Sequence, residues 1–111
     1  MGYRSEVGFA CTPQIHEVIK SIAEINKEFK EFLGYADDCT TATAGKYRWE
    51  DIKYYDGYPD VDCLNNIMDF LDNVGLDSEY GMIRIGEELE DIESKGMPYE
   101  FDMYVNRSIE I

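Results

Sequence analysis

The chain has 111 residues, with 24 Asp and Glu against 10 Lys and Arg, for a formal charge of −14. That length suits one domain spanning residues 1–111, and 44% hydrophobic with 14% aromatic residues supply a core that a disordered acidic tail lacks. The charge repels phosphate backbones and anionic lipid, which argues against direct nucleic-acid or membrane-surface binding, and no run of about 18 apolar residues is present to span a bilayer.

Alternation predicts the first strand over Tyr3 to Cys11, with Tyr3, Val7, Phe9 and Cys11 on one side and Arg4, Glu6 and Gly8 on the other. Thr12-Pro13 then reads as an N-cap followed by proline at the first helical position. Ile15, Val18, Ile19, Ile22, Ile25, Phe29, Phe32 and Leu33 recur at spacings of three and four. They predict one long amphipathic helix stopped by Gly34. The threonine-rich stretch from Ala36 to Ala44 is read as a strand, and Gly45-Lys46 as a turn. The aromatic run Tyr47 to Tyr55 favours another strand.

Asp56-Gly57-Tyr58-Pro59-Asp60 carries turn chemistry, with Asp60 as cap of a second helix. Val61, Leu64, Ile67, Met68, Leu71 and Val74 mark that helix, and Gly75 ends it. Tyr80 to Gly86 is strand-like. Glu87 to Glu93 fits either an acidic edge strand or a helical turn. A last strand runs from Phe101 to Ile111, with Phe101, Met103, Val105, Arg107, Ile109 and Ile111 on one side. The expected fold is α+β: a two-layer sandwich of β-α-β-β-α-β-β order, with two helices on one face of a mainly antiparallel sheet. The other face is expected to be wet, tyrosine-dotted and charged.

Cys11, Cys39 and Cys63 are odd in number, contain no CxxC pair, and share the chain with a single histidine, His16. Neither a disulfide framework nor a structural zinc site follows from them, and three reduced thiols in a cytosolic protein are expected. Asp56, Asp60 and Asp62 suggest a calcium loop, yet the closing bidentate Glu of such loops is missing. Asp60 and Asp62 are better read as first-turn acids at a helix N-terminus. No metal and no cofactor is expected. His16 is expected to face solvent, and no GxSxG, P-loop or GxGxxG occurs, so no catalytic residues are assigned.

Charge distribution is more informative. Residues 1–55 hold nine acids and seven bases, a net of −2, whereas residues 56–111 hold 15 acids and three bases, a net of −12. On the second helix, Asp62, Asp69 and Asp72 share an outward face, and the seven-residue spacing of the first two corresponds to about 10 Å. With Glu87, Glu88, Glu90, Asp91 and Glu93 they could imitate a nucleic-acid backbone, unless they serve solubility alone. Tyr54, Tyr55 and Tyr58 would supply aromatic anchors for such a contact. In the alternative reading, Arg4, Arg48, Arg84 and Arg107 converge on a nucleotide-like anion while Tyr47 or Trp49 stacks on its base. Pairing of each arginine with neighbouring carboxylates competes with that reading. Self-association through the exposed sheet face, for example as a dimer, is a third possibility.

The segments Tyr3-Arg4-Ser5-Glu6-Val7, Trp49-Glu50-Asp51-Ile52-Lys53-Tyr54-Tyr55 with Tyr58-Pro59-Asp60-Val61, and Arg84-Ile85-Gly86-Glu87 resemble those of small acidic proteins of tailed bacteriophages and prophages. The resemblance implies an accessory protein acting in the bacterial cytoplasm. The opening residues, which read without the basic and apolar regions of a signal peptide, agree with that location. By association it also implies an inhibitor of host defence or host nucleic-acid enzymes, of anti-CRISPR or anti-restriction type. The expected partner is a host protein with a basic nucleic-acid-binding surface.

Overall fold

A computed structural model describes residues 4–54, 57–88, 90–106 and 108–110. Its centre is β1 (Ser5–Cys11), which pairs antiparallel with β3 (Gly45–Ile52) on one side and β4 (Tyr80–Ile85) on the other. The two-residue β2 (Asp37–Asp38) and β5 (Ile92–Gly96) complete an antiparallel sheet of five strands in the order β2-β3-β1-β4-β5. The fold is α+β, and α1 (Pro13–Ile25), α2 (Lys27–Gly34) and α3 (Pro59–Asn73) supply its helical layer.

Strand alternation decides which residues meet that layer. Val7 pairs with Trp49 and Arg84, Phe9 with Tyr47 and Met82, and Cys11 with Tyr80, so these residues share a face. Arg84 apart, these residues form the main core with Ile15, Ile19, Phe29, Phe32, Leu64, Met68 and Leu71 from the helices. Trp49 stacks on Phe32 at a centroid distance of 4.5 Å and donates its indole N–H to the Phe32 carbonyl at 2.7 Å. A buried indole N–H needs such a partner.

The single long helix expected over residues 13–33 is two helices, broken at Asn26. Asn26 has an extended backbone (φ −126°, ψ 104°), and its side-chain oxygen accepts the Phe29 N–H at 3.1 Å. Its own N–H still closes α1 on Ile22 at 2.9 Å. Asparagine competes with helical backbone through bonds of this kind and is favoured as a cap. Across the break, Phe29 and Phe32 stay in the main core while Ile25, expected inside, is exposed.

The α3 boundaries differ in the same local way. Tyr58, not Asp60, holds the N-cap backbone position, while the Asp60 carboxylate accepts the Val61 N–H at 2.8 Å and Asp62 accepts that of Gly57 at 2.9 Å. At the other end Gly75 is left-handed (φ +80°), Leu76 N–H donates to Leu71 O at 2.8 Å and Gly75 N–H to Asp72 O at 3.3 Å. That pair of bonds is the Schellman closure a helix-ending glycine permits.

Two expected strands are corrected. From Ala36 to Ala44 only Asp37 and Asp38 form a strand, because threonine and aspartate side chains take up the backbone groups beyond them: the Thr40 N–H donates to Asp38 at 2.9 Å, the Lys46 N–H to the Thr40 hydroxyl at 3.1 Å, and the Thr43 N–H to the Thr41 hydroxyl at 3.3 Å. Such bonds compete with a ladder. Toward the C-terminus, Pro98–Phe101 forms a 3-10 turn ended by left-handed Asp102 (φ 59°), followed by the antiparallel pair β6 (Tyr104–Asn106) and β7 (Ser108–Glu110). This segment lies on the sheet face opposite the helices. Phe101, Met103 and Ile109 pack there with Ala10, Ala44 and Ile83 in a second core, so that face is largely covered and not wet. Small strand residues admit the cover. A Cβ at Gly8 would approach Ile109 to 2.9 Å, and one at Gly81 would come within 2.5 Å of the Pro98 Cα.

Candidate functional site

The acidic residues fall into two groups. From Tyr58 to Glu79 the chain carries six carboxylates, Asp60, Asp62, Asp69, Asp72, Asp77 and Glu79, and no Lys or Arg. Asp69, Asp72 and Asp77 are exposed, and the Tyr80 hydroxyl donates to Asp72 at 2.8 Å. Burial, then the Asp72 bond and the charges of Asp69 and Asp77, push the Tyr80 phenol far up. Glu79 accepts from the Thr12 hydroxyl at 3.1 Å. Sequence reasoning passed over Asp77 and Glu79. Their signal was simply the missing cation across this stretch.

The second group caps the other end of β4, about 17 Å away at the usual rise of a six-residue strand. Here the chain turns from β4 into β5, and the Gly86 N–H donates to the Asp91 carbonyl at 2.7 Å. The Glu87–Glu93 run is thus a hairpin loop leading into an edge strand, and Leu89 lies outside the described residues. Glu87, Glu88, Glu90 and Glu93 are exposed. Arg84 reaches Asp91 at 2.8 Å and Glu93 at 3.2 Å, and Glu87 accepts the Arg4 backbone N–H. Part of this run is therefore neutralised by the protein's own arginine.

The proposed aromatic anchors divide. Tyr54 is half-buried, with its hydroxyl donating to Asn65 at 3.0 Å and its ring 6.5 Å from Phe32, and so belongs to the core margin. Tyr58 is exposed, beside Tyr35 and Glu31. Tyr55 lies outside the described residues.

The arginines do not converge. Arg48 pairs with Gly8 and points to the covered face, where it meets Glu50 at 2.6 Å, Asp37 at 3.6 Å and the Ile109 carbonyl at 3.5 Å. Arg84 is cross-strand from Val7, on the helical face. Arg4 is exposed and donates to the Asp51 carbonyl at 3.2 Å, and Arg107 lies outside the described residues. Trp49 is fully buried and Tyr47 nearly so, both facing the helices and turned away from Arg48. No base could stack on them without unpacking the core.

His16, expected in solvent, is half-buried. Its ring lies over Gly45, where a Cβ would come within 2.5 Å, and its Nε2 is 2.7 Å from the Tyr47 hydroxyl. Burial lowers its pKa below the usual value, with Lys20 adding to the effect and Asp38 and Glu17 opposing it. Cys11 beneath is fully buried and its thiol is pushed up to about 12 by desolvation. It stays protonated near neutral pH, which suits packing and not nucleophilic attack. Among the described residues, no three His, Cys, Asp or Glu side chains gather as a metal ion would require. No described helix is long and apolar enough to cross a membrane.

One feature escaped the sequence altogether. α1 and α3 lie antiparallel: Thr12, before α1, bonds Glu79, beyond α3, while Asn26 at the other end of α1 approaches the Cys63 sulfur at 3.8 Å. Between them runs an apolar groove of about 650 Å³. Ile15 and Leu71 are its buried floor, Ile22 and Ile67 its half-buried sides, and Val18 (48% exposed), Phe70 (62%) and Leu76 (39%) its rims. The available signal was Phe70, an aromatic residue outside the apolar stripe of its own helix. Val18 and Ile67 were read as core because periodicity identifies a face without showing how far a neighbour covers it.

No protein-family model matches this sequence, and comparison with the curated proteins and with the solved structures finds no match.

Proposed function

We propose that this protein is a non-enzymatic accessory protein of phage type that docks on a basic, nucleic-acid-handling surface of a host protein and inhibits it by excluding DNA or RNA. A CRISPR or restriction effector in the bacterial cytoplasm is the target class that the sequence resemblance suggests. The observation that carries the reading is the stretch from Tyr58 to Glu79, six carboxylates with no Lys or Arg among them, much of it exposed on α3 and just beyond it. Such a field steers encounter with a cationic surface and weakens with salt. Because Asp91 and Glu93 are spent on Arg84, Asp69, Asp72 and Asp77, with Glu87, Glu88 and Glu90, are the docking charges. Nucleotide sequestration is the weaker reading, since the described arginines sit on different faces with acidic or backbone partners.

The test is affinity capture from host lysate at moderate salt, with wild type beside the triple variant Asp69→Lys, Asp77→Lys and Glu90→Lys, which leaves the Arg84–Asp91 pair intact. Loss of the captured partner by tenfold or more is expected. Equal capture by both proteins overturns the reading.

A further inference from the structure

The groove between α1 and α3 has a shape and a charge that together define an occupant. From Ile15 to the Asn26 cap, its wall along α1 spans eleven residue steps, about 16 Å at the helical rise, the length of a three-turn helix. Its lining is mainly apolar, with Asn26, Asp62 and Asn66 as the polar members, and its rims, Val18 and Phe70, stand exposed in the described fold. Grooves between packed helices commonly take the apolar stripe of an amphipathic helix, read at i, i+3, i+4 and i+7.

Charge distinguishes the two walls. α1 carries Lys20 bridged to Glu17 at 2.6 Å, with Glu24 further along. α3 carries four aspartates and no cation. Asp62 lines the groove itself. Asp69, two turns on, adjoins Phe70 and is exposed. Their spacing of seven residues matches cations at i and i+7 on a helix lying alongside. An acidic occupant would be repelled by this wall, and a neutral one would leave it unused.

We propose that the α1–α3 groove is the seat of a cationic amphipathic helix from a partner protein, its apolar stripe between Val18 and Phe70 and its Lys or Arg flank along Asp62 and Asp69. The inference rests on the reading of the protein as a docking module for a basic partner and supplies that contact with an apolar anchor. Surface charge alone gives rate and orientation, whereas a few desolvated apolar side chains dominate interface energy.

Two designed eighteen-residue peptides with the same leucine stripe, one with lysine and one with glutamate on the polar face, test it by methyl and amide NMR. The Leu/Lys peptide should shift the resonances of Val18, Ile22 and Ile67. The Leu/Glu peptide should bind at least tenfold more weakly. Phe70→Asp is the decisive variant, because its position is exposed and the change adds negative charge. Binding through the groove weakens tenfold or more, whereas attraction by charge alone strengthens. Val18→Asp, on the opposite rim, repeats the measurement should Phe70→Asp perturb the fold. The proposal is overturned by equal binding of the two peptides, by no binding of either, or by affinity unchanged or tighter in Phe70→Asp. Self-association that Phe70→Asp abolishes in light scattering also overturns it, because the occupant is then a second copy. If lysate capture is lost in the triple charge variant but retained in Phe70→Asp, the groove proposal fails while the docking reading stands. Retention in both removes both.

Discussion

The two faces of the sheet are built by opposite means. Toward the helices, β1, β3 and β4 present Phe9, Trp49, Tyr80 and Met82, and the layer above is held off by their bulk. Toward the C-terminal segment they present Gly8, Ala10 and Gly81, and the cover comes close enough to touch backbone. The first face gains stability from buried aromatic and aliphatic volume. The second depends on close approach, so it tolerates little added volume and contributes less area. A strand can therefore have two buried faces while only one of them looks apolar.

The largest expected effect lies on the helical face. Trp49→Ala removes a fully buried indole, its stacking on Phe32 and the donor to the Phe32 carbonyl. Large-to-small changes of this kind cost about 3–5 kcal/mol, a large part of the roughly 5–15 kcal/mol of a whole domain. The variant should be unfolded or nearly so in urea denaturation followed by circular dichroism. A loss under about 1 kcal/mol, the range of well-tolerated core swaps, would mean that the helical face is not the dominant core.

The covered face predicts a smaller, graded response. At Gly81 an added methyl meets the Pro98 backbone at 2.5 and 2.8 Å, and backbone must move. At Gly8 it meets the ends of Ile109 and Met103 at 2.9 and 3.2 Å, which can rotate. Gly81→Ala should cost about 1–3 kcal/mol, the usual range for overpacking, and Gly8→Ala less. Hydrogen exchange should show β6 and β7 losing protection in Gly81→Ala while α3 keeps its own. Equal effects at the two glycines, or none, would mean that the C-terminal segment is not held against the sheet.

This contrast also explains what the sequence could reveal. The helical face was legible because Val7, Phe9 and Cys11 alternate with smaller or charged residues, and because Val61, Leu64, Met68 and Leu71 repeat at helical spacing. The opposite face was read as wet because glycine and alanine give no hydrophobic signal, although Gly8 and Gly81 are small in order to be covered. The C-terminal alternation was real, and Phe101, Met103 and Ile109 are buried. Its single strand failed because alternation does not forbid a turn: left-handed Asp102 ends the Pro98–Phe101 turn, and beyond it β6 and β7 fold back on each other as an antiparallel pair. The α1–α2 break was present as one letter, Asn26, inside a stripe whose period ran straight through it. Of the candidate site, the carboxylates were legible and their partners were not. Pairing of Arg84 with Asp91 and Glu93 depends on the β4–β5 hairpin register, and the groove depends on the separation of two helices distant in sequence.

The smallest effect concerns the one glycine that receives a polar ring on the helical face, Gly45 beneath His16. Burial and the nearby Lys20 disfavour the charged imidazole, outweighing Asp38 and Glu17. In the neutral ring the Tyr47 hydroxyl can donate to Nε2 across their 2.7 Å contact. Protonation would put a donor there and turn the hydroxyl into the acceptor. Because the folded-state pKa is depressed, the unfolded chain binds the proton more readily. The contribution of His16 is thus intact above its ordinary pKa of 6.5 and is lost as pH falls from there through the folded value. Its ring resonance should titrate with a midpoint below 6.5, and His16→Gln should flatten the pH dependence of stability across that window. A midpoint at or above the ordinary value would show that the field of the acidic chain, and not burial against Gly45, governs this edge of the core.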